Sequence, residues 1–337
     1  MPRILADRSS QARPKPAPAA PDAASVDLLR ILYGRELEAY SFPEPHPFSA
    51  ARLPGFWKEL CRRGLDRRAA VEAPECCEED VLRLFHTKHH VRFVRRAARM
   101  GVHFLDAGDT PAFPGVFQAA CTVVGSTLKA VRLIMEGRCA RAFCPIGGLH
   151  HAARDRAAGF CVFNDIGIAI EQLRRRYGVR RIGYVDIDAH HGDGVYYSFA
   201  SDPGILIADI HEDGRFLFPG TGGAEESGLG AAAGTKLNLP LLPGADEQDF
   251  LAAFAKAEAF LDGRRPEVIL LQCGADSVAG DPIAHLAFSP RCHGWAAGRL
   301  RVLAQKHSKN RLLALGGGGY AVSNLAEAWC AVVEALL

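Results

Sequence analysis

The 337-residue sequence has no marked excess of charge of either sign. Its 40 Lys and Arg residues nearly balance its 38 Asp and Glu residues, which leaves a formal net charge of +2. A protein that binds nucleic acid usually shows a clear basic excess, so we expect no direct contact with nucleic acid. No apolar run approaches the roughly 18 residues of a membrane-spanning helix, so we expect no membrane partner. The first residues also lack the apolar segment of a secretory signal.

The ten cysteines include no Cys-x-x-Cys pair. A disulfide framework is typical of short secreted chains and is not expected in a chain of this length. Several of the cysteines stand in apolar surroundings, where a reduced cysteine packs as a small hydrophobic residue. The cysteine usage therefore predicts a reducing, cytoplasmic compartment.

The sequence divides into a short tail and one long domain. Residues 1–25 are rich in Pro and Ala, which predicts a flexible tail. Over residues 26–337, short apolar runs alternate with longer amphipathic segments, and no internal repeat is visible. The best strand candidates are 181–188, 204–210, 267–273 and 311–317, and the best helix candidates are 116–136, 164–177, 247–263 and 321–336. This alternation predicts a single α/β domain in which helices cover both faces of a parallel sheet.

Polar motifs follow the ends of several apolar runs. The motifs are "PIGGLHHA", "DIDAHHGDG", "QCGAD" and "LGGGGY". In open α/β sheets, sites form in the loops at the carboxyl ends of the strands. We therefore expect these four loops to meet at one pocket.

The densest motif places Asp186, Asp188 and His190 at every second position of a predicted strand end. At strand periodicity these side chains share one face. A lone Asp or His would be read as a structural hydrogen-bonding residue, but three on one face favour a metal site. Carboxylate and imidazole ligands without thiolate suit zinc or another first-row divalent ion. Asp276, at the end of another strand, is the best candidate for a third ligand, and a site with three protein ligands leaves one position open for water.

Two adjacent histidines, His150 and His151, stand in a glycine-rich loop. A solvent-exposed pair is the simplest interpretation of such a dipeptide. However, Asp186 and Asp193 are not both needed as metal ligands, and an Asp–His hydrogen bond fixes the tautomer and raises the basicity of an imidazole. Two histidines with different partners can serve as general base and as electrostatic partner or general acid.

The glycine run at the C-terminal end of the sequence leads to Tyr320. It is not a phosphate-binding loop, because the Lys and Ser or Thr of that motif are absent. A tyrosine hydroxyl beside a metal ion would be a good donor to a developing oxyanion. Together these residues predict metal-assisted hydrolysis of an amide.

Six motifs occur in the order known from one family: "GGLHHA", "GFCVFND", "YVDIDAHHGDGV", "LFPGTG", "GADSVAGDP" and "LGGGGY". From about residue 46 onward the sequence resembles the histone deacetylase family of zinc-dependent deacetylases, and within it the bacterial acetoin-utilisation branch. The resemblance implies a single α/β domain of the arginase/deacetylase type. It implies zinc as the cofactor, with iron(II) as the alternative.

The resemblance also implies roles for individual residues. The metal ligands are Asp188, His190 and Asp276, and the acid/base pair is His150 and His151, with Asp186 and Asp193 as their buried partners. Tyr320 matches the tyrosine that stabilises the transition state. Gly159, Phe160 and Phe218 match the walls of the acyl-lysine tunnel, Asp109 the aspartate at its rim, and Arg52 an arginine beside an internal acetate cavity.

A structural monovalent cation, K⁺ or Na⁺, is a further implication of the resemblance. Its site would comprise Asp186, Asp188, His190, Asp209 and Ile210. The family often has a serine where this sequence has Asp209. The carboxylate is expected to strengthen cation binding or to change the preferred ion.

Two substrate classes remain open from the sequence. The first is Nε-acetyl-lysine in proteins or peptides, and the second is small acetylated amines such as acetylpolyamines. Relatives that prefer polyamines often carry an acidic residue at the tunnel entrance, where this sequence has the apolar Ile283, so the lysine substrate is favoured. A protein that binds without catalysis would have lost a ligand, a tandem histidine or the tyrosine, and a binuclear manganese hydrolase would need more Asp and His ligands. The oligomeric state is not indicated.

Overall fold

The computed structural model describes residues 29–101 and 104–337. The predicted tail, residues 1–25, lies outside the described residues, as does the predicted start of the domain at residue 26. Both therefore stay predictions.

The strands of the described residues form one eight-stranded sheet. All neighbouring strands pair in parallel, in the order β2-β1-β3-β8-β7-β4-β5-β6. The strands are β1 (Arg30–Leu32), β2 (Ala70–Glu72), β3 (Arg141–Cys144), β4 (Ile182–Asp186), β5 (Ile205–Glu212), β6 (Lys236–Leu241), β7 (Val268–Gln272) and β8 (Leu312–Leu315). The α-helices are α1 (Arg52–Arg62), α2 (Glu79–Leu82), α3 (Lys88–Met100), α4 (Val116–Met135), α5 (Asp165–Tyr177), α6 (Asp193–Phe199), α7 (Glu247–Arg264), α8 (Pro290–His307) and α9 (Val322–Leu336).

The central strands are buried on both faces. Every residue of β3, β4, β5, β7 and β8 is buried, and the sequences are apolar runs such as "VILLQ" and "LLAL". The helices pack in two groups, with α1, α7, α8 and α9 in one and α2 to α6 in the other. A parallel sheet with continuous apolar strands needs such cover on both sides. The predicted α/β fold is therefore confirmed.

The four strand candidates and the four helix candidates of the sequence correspond to β4, β5, β7, β8, α4, α5, α7 and α9. Their ends agree within two or three residues. The sequence analysis proposed no strand for β1, β2, β3 or β6. The first two are only three residues long, which is too short for the period-two pattern to be recognised.

Helix α9 is fastened to the ends of two central strands through Trp329. Its buried indole packs edge-on against Phe56 and Phe143, with ring centroids 5.6 and 6.1 Å apart. The indole N–H donates to the carbonyl oxygens of Cys273, 3.2 Å away, and Gly316, 3.1 Å away. These carbonyls lie just beyond β7 and β8, so Trp329 holds the chain where both strands enter their loops.

Strands β3, β8, β7 and β4 are consecutive neighbours at the middle of the sheet. Because all four run in the same direction, the loops at their carboxyl ends lie along one edge. These loops carry the four polar motifs. No helix within the described ranges is long and apolar enough to cross a membrane.

Candidate metal centre and active site

Asp188, His190 and Asp276 meet at the ends of two adjacent strands. β4 and β7 pair so that Asp186 lies opposite Gln272, and the three side chains follow within a few residues. His190 Nδ1 lies 3.1 Å from Asp188 Oδ1 and 3.2 Å from Asp276 Oδ2. All three residues are buried, and one ligand atom from each lies within 4.8 Å of the others. The predicted ligand set is therefore brought together.

The donor set fits a divalent metal ion. One oxygen of each carboxylate is held by the protein: Asp188 Oδ2 accepts from Gln272 Nε2 at 2.8 Å and from the Gly318 amide at 2.9 Å. Asp276 Oδ1 accepts from the Ala189 amide at 2.9 Å. The opposite oxygens face His190. Burial lowers the pKa of His190, but its hydrogen bonds to the two carboxylates outweigh burial and raise the pKa to about 10. Two buried carboxylates beside one imidazole match the Asp and His ligands of zinc and iron(II) sites.

The tandem histidines lie in the loop after β3 and have separate carboxylate partners. His150 Nδ1 donates to Asp186 Oδ2 at 2.8 Å, and His151 Nδ1 donates to Asp193 Oδ1 at 2.7 Å. Their Nε2 atoms lie 3.0 Å apart. Both rings are buried, which excludes the solvent-exposed pair that the dipeptide by itself suggests.

The environments of the two histidines move their pKa values in opposite directions. Burial lowers the pKa of His150, but the carboxylates of Asp186 and Asp188 outweigh it and raise the pKa to about 10. Burial and the neighbouring His150 lower the pKa of His151 to about 4, against the opposing effect of Asp193. At neutral pH His150 is therefore charged, and His151 is neutral and able to accept a proton.

Two residues at the start of α5 hold the histidine loop in place. The Asp165 carboxylate accepts from the amides of Gly148 at 3.1 Å and Leu149 at 2.8 Å, and from the Thr127 hydroxyl at 2.7 Å. The Asn164 side chain caps α5 and donates to the Ala152 carbonyl at 2.8 Å. The motif "GFCVFND" predicts a role for neither residue, because only the folded chain brings these segments into contact.

The glycine-rich loop after β8 approaches the metal ligands closely. A Cβ on Gly318 would lie 2.0 Å from Asp276 Oδ2, so no larger residue fits there. The buried Arg52 donates to the carbonyl oxygens of Gly319 at 2.8 Å and Gly317 at 2.6 Å. The Tyr320 ring then packs edge-on against Phe160, with centroids 5.6 Å apart. The predicted tyrosine thus faces the same space as the metal ligands.

A cavity of about 260 Å³ connects these groups. Its lining includes the predicted residues His150, His151, Asp188, His190, Tyr320, Gly159, Phe160, Phe218, Ile283 and Asp109. Gly159 has a φ of 54°, and a Cβ there would meet the rings of His151 and Phe218. Asp186, Asp193, Asp276 and Arg52 are not part of the lining but contact residues that are.

Asp209 lies opposite Asp186 in the pairing of β4 and β5. Its carboxylate is engaged by the protein, with Oδ1 accepting from His211 Nδ1 at 2.7 Å and Oδ2 from the Gly192 amide at 2.9 Å. Burial lowers the pKa of His211, but Asp209 raises it above the ordinary value. This pair was not predicted from the sequence. Ile210 is buried next to it, and the cation site stays a prediction.

Comparison with known proteins now adds to the geometry. The family model of the histone deacetylase domain matches residues 46–336, which is most of the chain. The chain belongs to the histone deacetylase family. This membership indicates a metal-dependent deacetylase, which is a hydrolase. Within the described ranges, Asp188, His190 and Asp276 are the one group of three metal-ligating side chains close enough together to hold a metal ion.

Named relatives place the chain in the acetoin-utilisation branch. It is 34% identical over 311 residues to the acetoin utilization protein AcuC of Bacillus subtilis, covering 90% of this chain and 80% of that protein. It is 32% identical over 316 residues to AcuC of Staphylococcus xylosus, covering 91% and 82%. The crystal structure of the HDA15 HD domain superposes with a TM-score of 0.84 over 92% of this chain and 90% of that one. At 24% identity, this last likeness shows the fold alone.

Proposed function

We propose that the protein hydrolyses the acetyl amide of Nε-acetyl-lysine in proteins or peptides and releases acetate. The carrying observation is that His151, Tyr320, Asp188 and His190 line one cavity, with Asp276 grouped behind it with Asp188 and His190. We assign this activity to a catalytic domain over residues 26–337, located in the cytoplasm. The ten cysteines, none of which forms a disulfide, support that compartment.

Zinc or iron(II) held by Asp188, His190 and Asp276 would supply a Lewis acid for water and for the amide carbonyl. The chain's own residues move the protons. Neutral His151 accepts a proton at Nε2. Its Nδ1–H remains hydrogen-bonded to Asp193, which fixes the tautomer. Charged His150, whose Nε2 lies 3.0 Å from that of His151, stabilises the negative charge that develops on the carbonyl oxygen. It also takes part with His151 in protonating the leaving lysine amine.

Tyr320 would donate its hydroxyl hydrogen to the carbonyl oxygen as that oxygen gains negative charge. Its ring lies against Phe160 at the cavity wall, and its hydroxyl makes no hydrogen bond to another described residue. Such a donor costs no reorganisation when the transition state forms. Addition of water across the amide then yields acetate and a free lysine side chain.

The cavity walls support an acyl-lysine chain as the occupant. Phe160, Phe218 and Ile283 all line the cavity and supply apolar side chains to its wall. An apolar passage suits the methylene chain of lysine, whereas a cationic polyamine would be drawn to an acidic side chain at position 283, where this chain has Ile283. We assign the rim aspartate Asp109 to the peptide main chain.

We propose three further assignments for the same site. Arg52 borders the space that receives acetate, since its Nη1 is buried without a partner. A K⁺ or Na⁺ ion binds near Asp186, Asp188, His190, Asp209 and Ile210. The partner is an acetylated protein or peptide.

The test is a comparison of turnover on an acetyl-lysine peptide and on acetylated polyamines, with metal-stripped enzyme and with enzyme reconstituted with zinc or iron(II). We expect peptide turnover that the metal restores. The matched variant Ile283→Glu should shift the preference towards polyamines, because it places a carboxylate at the cavity wall. Turnover of polyamines alone would contradict the lysine assignment, and turnover of neither would contradict the deacetylase activity.

A further inference from the structure

The loop that carries Tyr320 is fastened through its main chain. The Gly318 amide donates to Asp188 Oδ2, and the Gly318 carbonyl accepts from the Ala275 amide at 3.1 Å. The carbonyls on either side of Gly318 accept from Arg52. Beyond Gly319, the amide of Tyr320 donates to a residue outside the metal site. That residue is Asp281, whose Oδ2 lies 2.8 Å from the Tyr320 nitrogen.

Asp281 joins two loops with one carboxylate. Its Oδ2 also accepts from the Ala321 amide at 3.4 Å, and its Oδ1 accepts from the Ile283 amide at 3.1 Å. The residue as a whole is 7% exposed. Because Ala321 directly precedes α9, the carboxylate also lies at the positive end of a fifteen-residue helix. The carboxylate therefore connects the cavity-wall loop of Ile283 to the loop of Tyr320.

The hydroxyl of Tyr320 depends on these main-chain contacts for its position. The side chain is fixed by ring packing against Phe160 and Phe48, with centroids 5.6 and 6.4 Å away. Ring packing constrains the plane of the ring but permits sliding along it. The amide held by Asp281 supplies the remaining constraint, at the point where the side chain leaves the backbone.

We propose that Asp281 is a positioning residue that places the Tyr320 hydroxyl for the reaction. The inference rests on the function proposed above for Tyr320. Asp281 does not line the cavity, so it acts through the tyrosine and not on substrate.

The first variant is Asp281→Asn, which keeps the shape but retains only one acceptor oxygen. The side-chain NH2 group of the asparagine must face either the backbone N–H groups of Tyr320 and Ala321 or that of Ile283. Two N–H groups that face each other cannot form a hydrogen bond, so one of these contacts is lost. We expect kcat to fall about 10- to 100-fold with little change in KM, which is what a small misplacement of a catalytic group costs. Asp281→Ser removes the carboxylate with a smaller side chain and carries the same expectation if the first variant does not fold.

A double-mutant cycle with Tyr320→Phe separates positioning from general loosening. If Asp281 acts through the hydroxyl, the double variant should be about as slow as Tyr320→Phe alone. The control is Glu212→Gln: its buried carboxylate accepts from the amide and Nδ1 of His285, each at 2.8 Å, on the loop of Ile283. This control loosens the same loop without touching Tyr320, so its effect should add to that of Tyr320→Phe.

The outcomes are distinguishable. Losses from Asp281→Asn and Tyr320→Phe that simply add would overturn the positioning role while leaving the proposed function intact. Full activity of the single Tyr320→Phe variant would overturn the proposed role of the tyrosine and this inference with it. The inference is supported if the loss of kcat caused by Asp281→Asn disappears in the Tyr320→Phe background. The loss caused by Glu212→Gln should persist in that background.

Discussion

His150 and His151 are neighbours in sequence, but at neutral pH the first is positively charged and the second is neutral. The difference arises from their surroundings, since His150 faces two carboxylates and His151 faces one carboxylate and a charged imidazole. Like charges 3.0 Å apart in a buried site cannot both be stable. Protonation of the first ring therefore keeps the second available as a base.

This residue-scale difference predicts that His151→Ala lowers kcat at least about 100-fold, the usual contribution of a general base. Tyr320→Phe should cost a similar factor, because it removes an oxyanion donor. Both are measured by steady-state turnover of an acetyl-lysine peptide. The control is His307→Ala, another histidine paired with an aspartate, Asp262 at 2.7 Å, but located far from the cavity on α8. Full activity of His151→Ala would refute its role.

At the scale of elements, the site depends on how helix ends support loops. α5 begins directly beneath the histidine loop, and its capping residue Asn164 bonds in two directions. Its Oδ1 accepts from the Gly167 amide at 2.8 Å, and its Nδ2 donates to the Ala152 carbonyl. One side chain thus starts the helix and anchors the loop that carries both histidines.

Asn164→Ser separates these two roles. Serine keeps a capping oxygen for α5 but lacks the amide donor to the loop. We expect a loss of turnover that exceeds any loss of helix stability, measured by kcat and by chemical denaturation of the same samples. In the control Asp246→Ala, the cap of the distant helix α7 is lost, so stability should fall by about 1 kcal/mol with kcat unchanged. Unchanged turnover in Asn164→Ser would show that the loop does not need this donor.

At the scale of the whole molecule, the metal centre joins segments that are far apart in sequence. Asp188 and Asp276 bring the ends of β4 and β7 together, and Asp188 also accepts from Gly318 after β8. Bringing carboxylates together in a buried site is costly without a cation. A metal bound here should therefore stabilise the whole fold.

We predict that a chelator abolishes turnover and lowers the melting temperature, and that zinc or iron(II) restores both. A ligand at about 100 times its Kd stabilises the native state by about 2.7 kcal/mol. Asp188→Ala should bind no metal and show no such shift, as measured by metal analysis and thermal denaturation. Normal metal content in that variant would contradict the ligand assignment.

The sequence by itself determined the alternation of strands and helices, because apolar periodicity is a local property. It also supplied the groups that need a partner: Asp188, His190 and Asp276, the tandem histidines, and Tyr320. Their spacing and residue types are visible along the chain, so their chemistry could be predicted without knowing their neighbours.

Only the tertiary structure decided which loops touch. Gln272 bonds Asp188 across 84 residues, and Asp281 holds Tyr320 across 39. Asp209 pairs with His211, although the family resemblance implied only a cation ligand at that position. Such supporting residues are ordinary buried Asp and Gln residues by type, and what they stabilise depends on the order of the strands. Strand order is set by long-range packing and leaves no local pattern in the sequence.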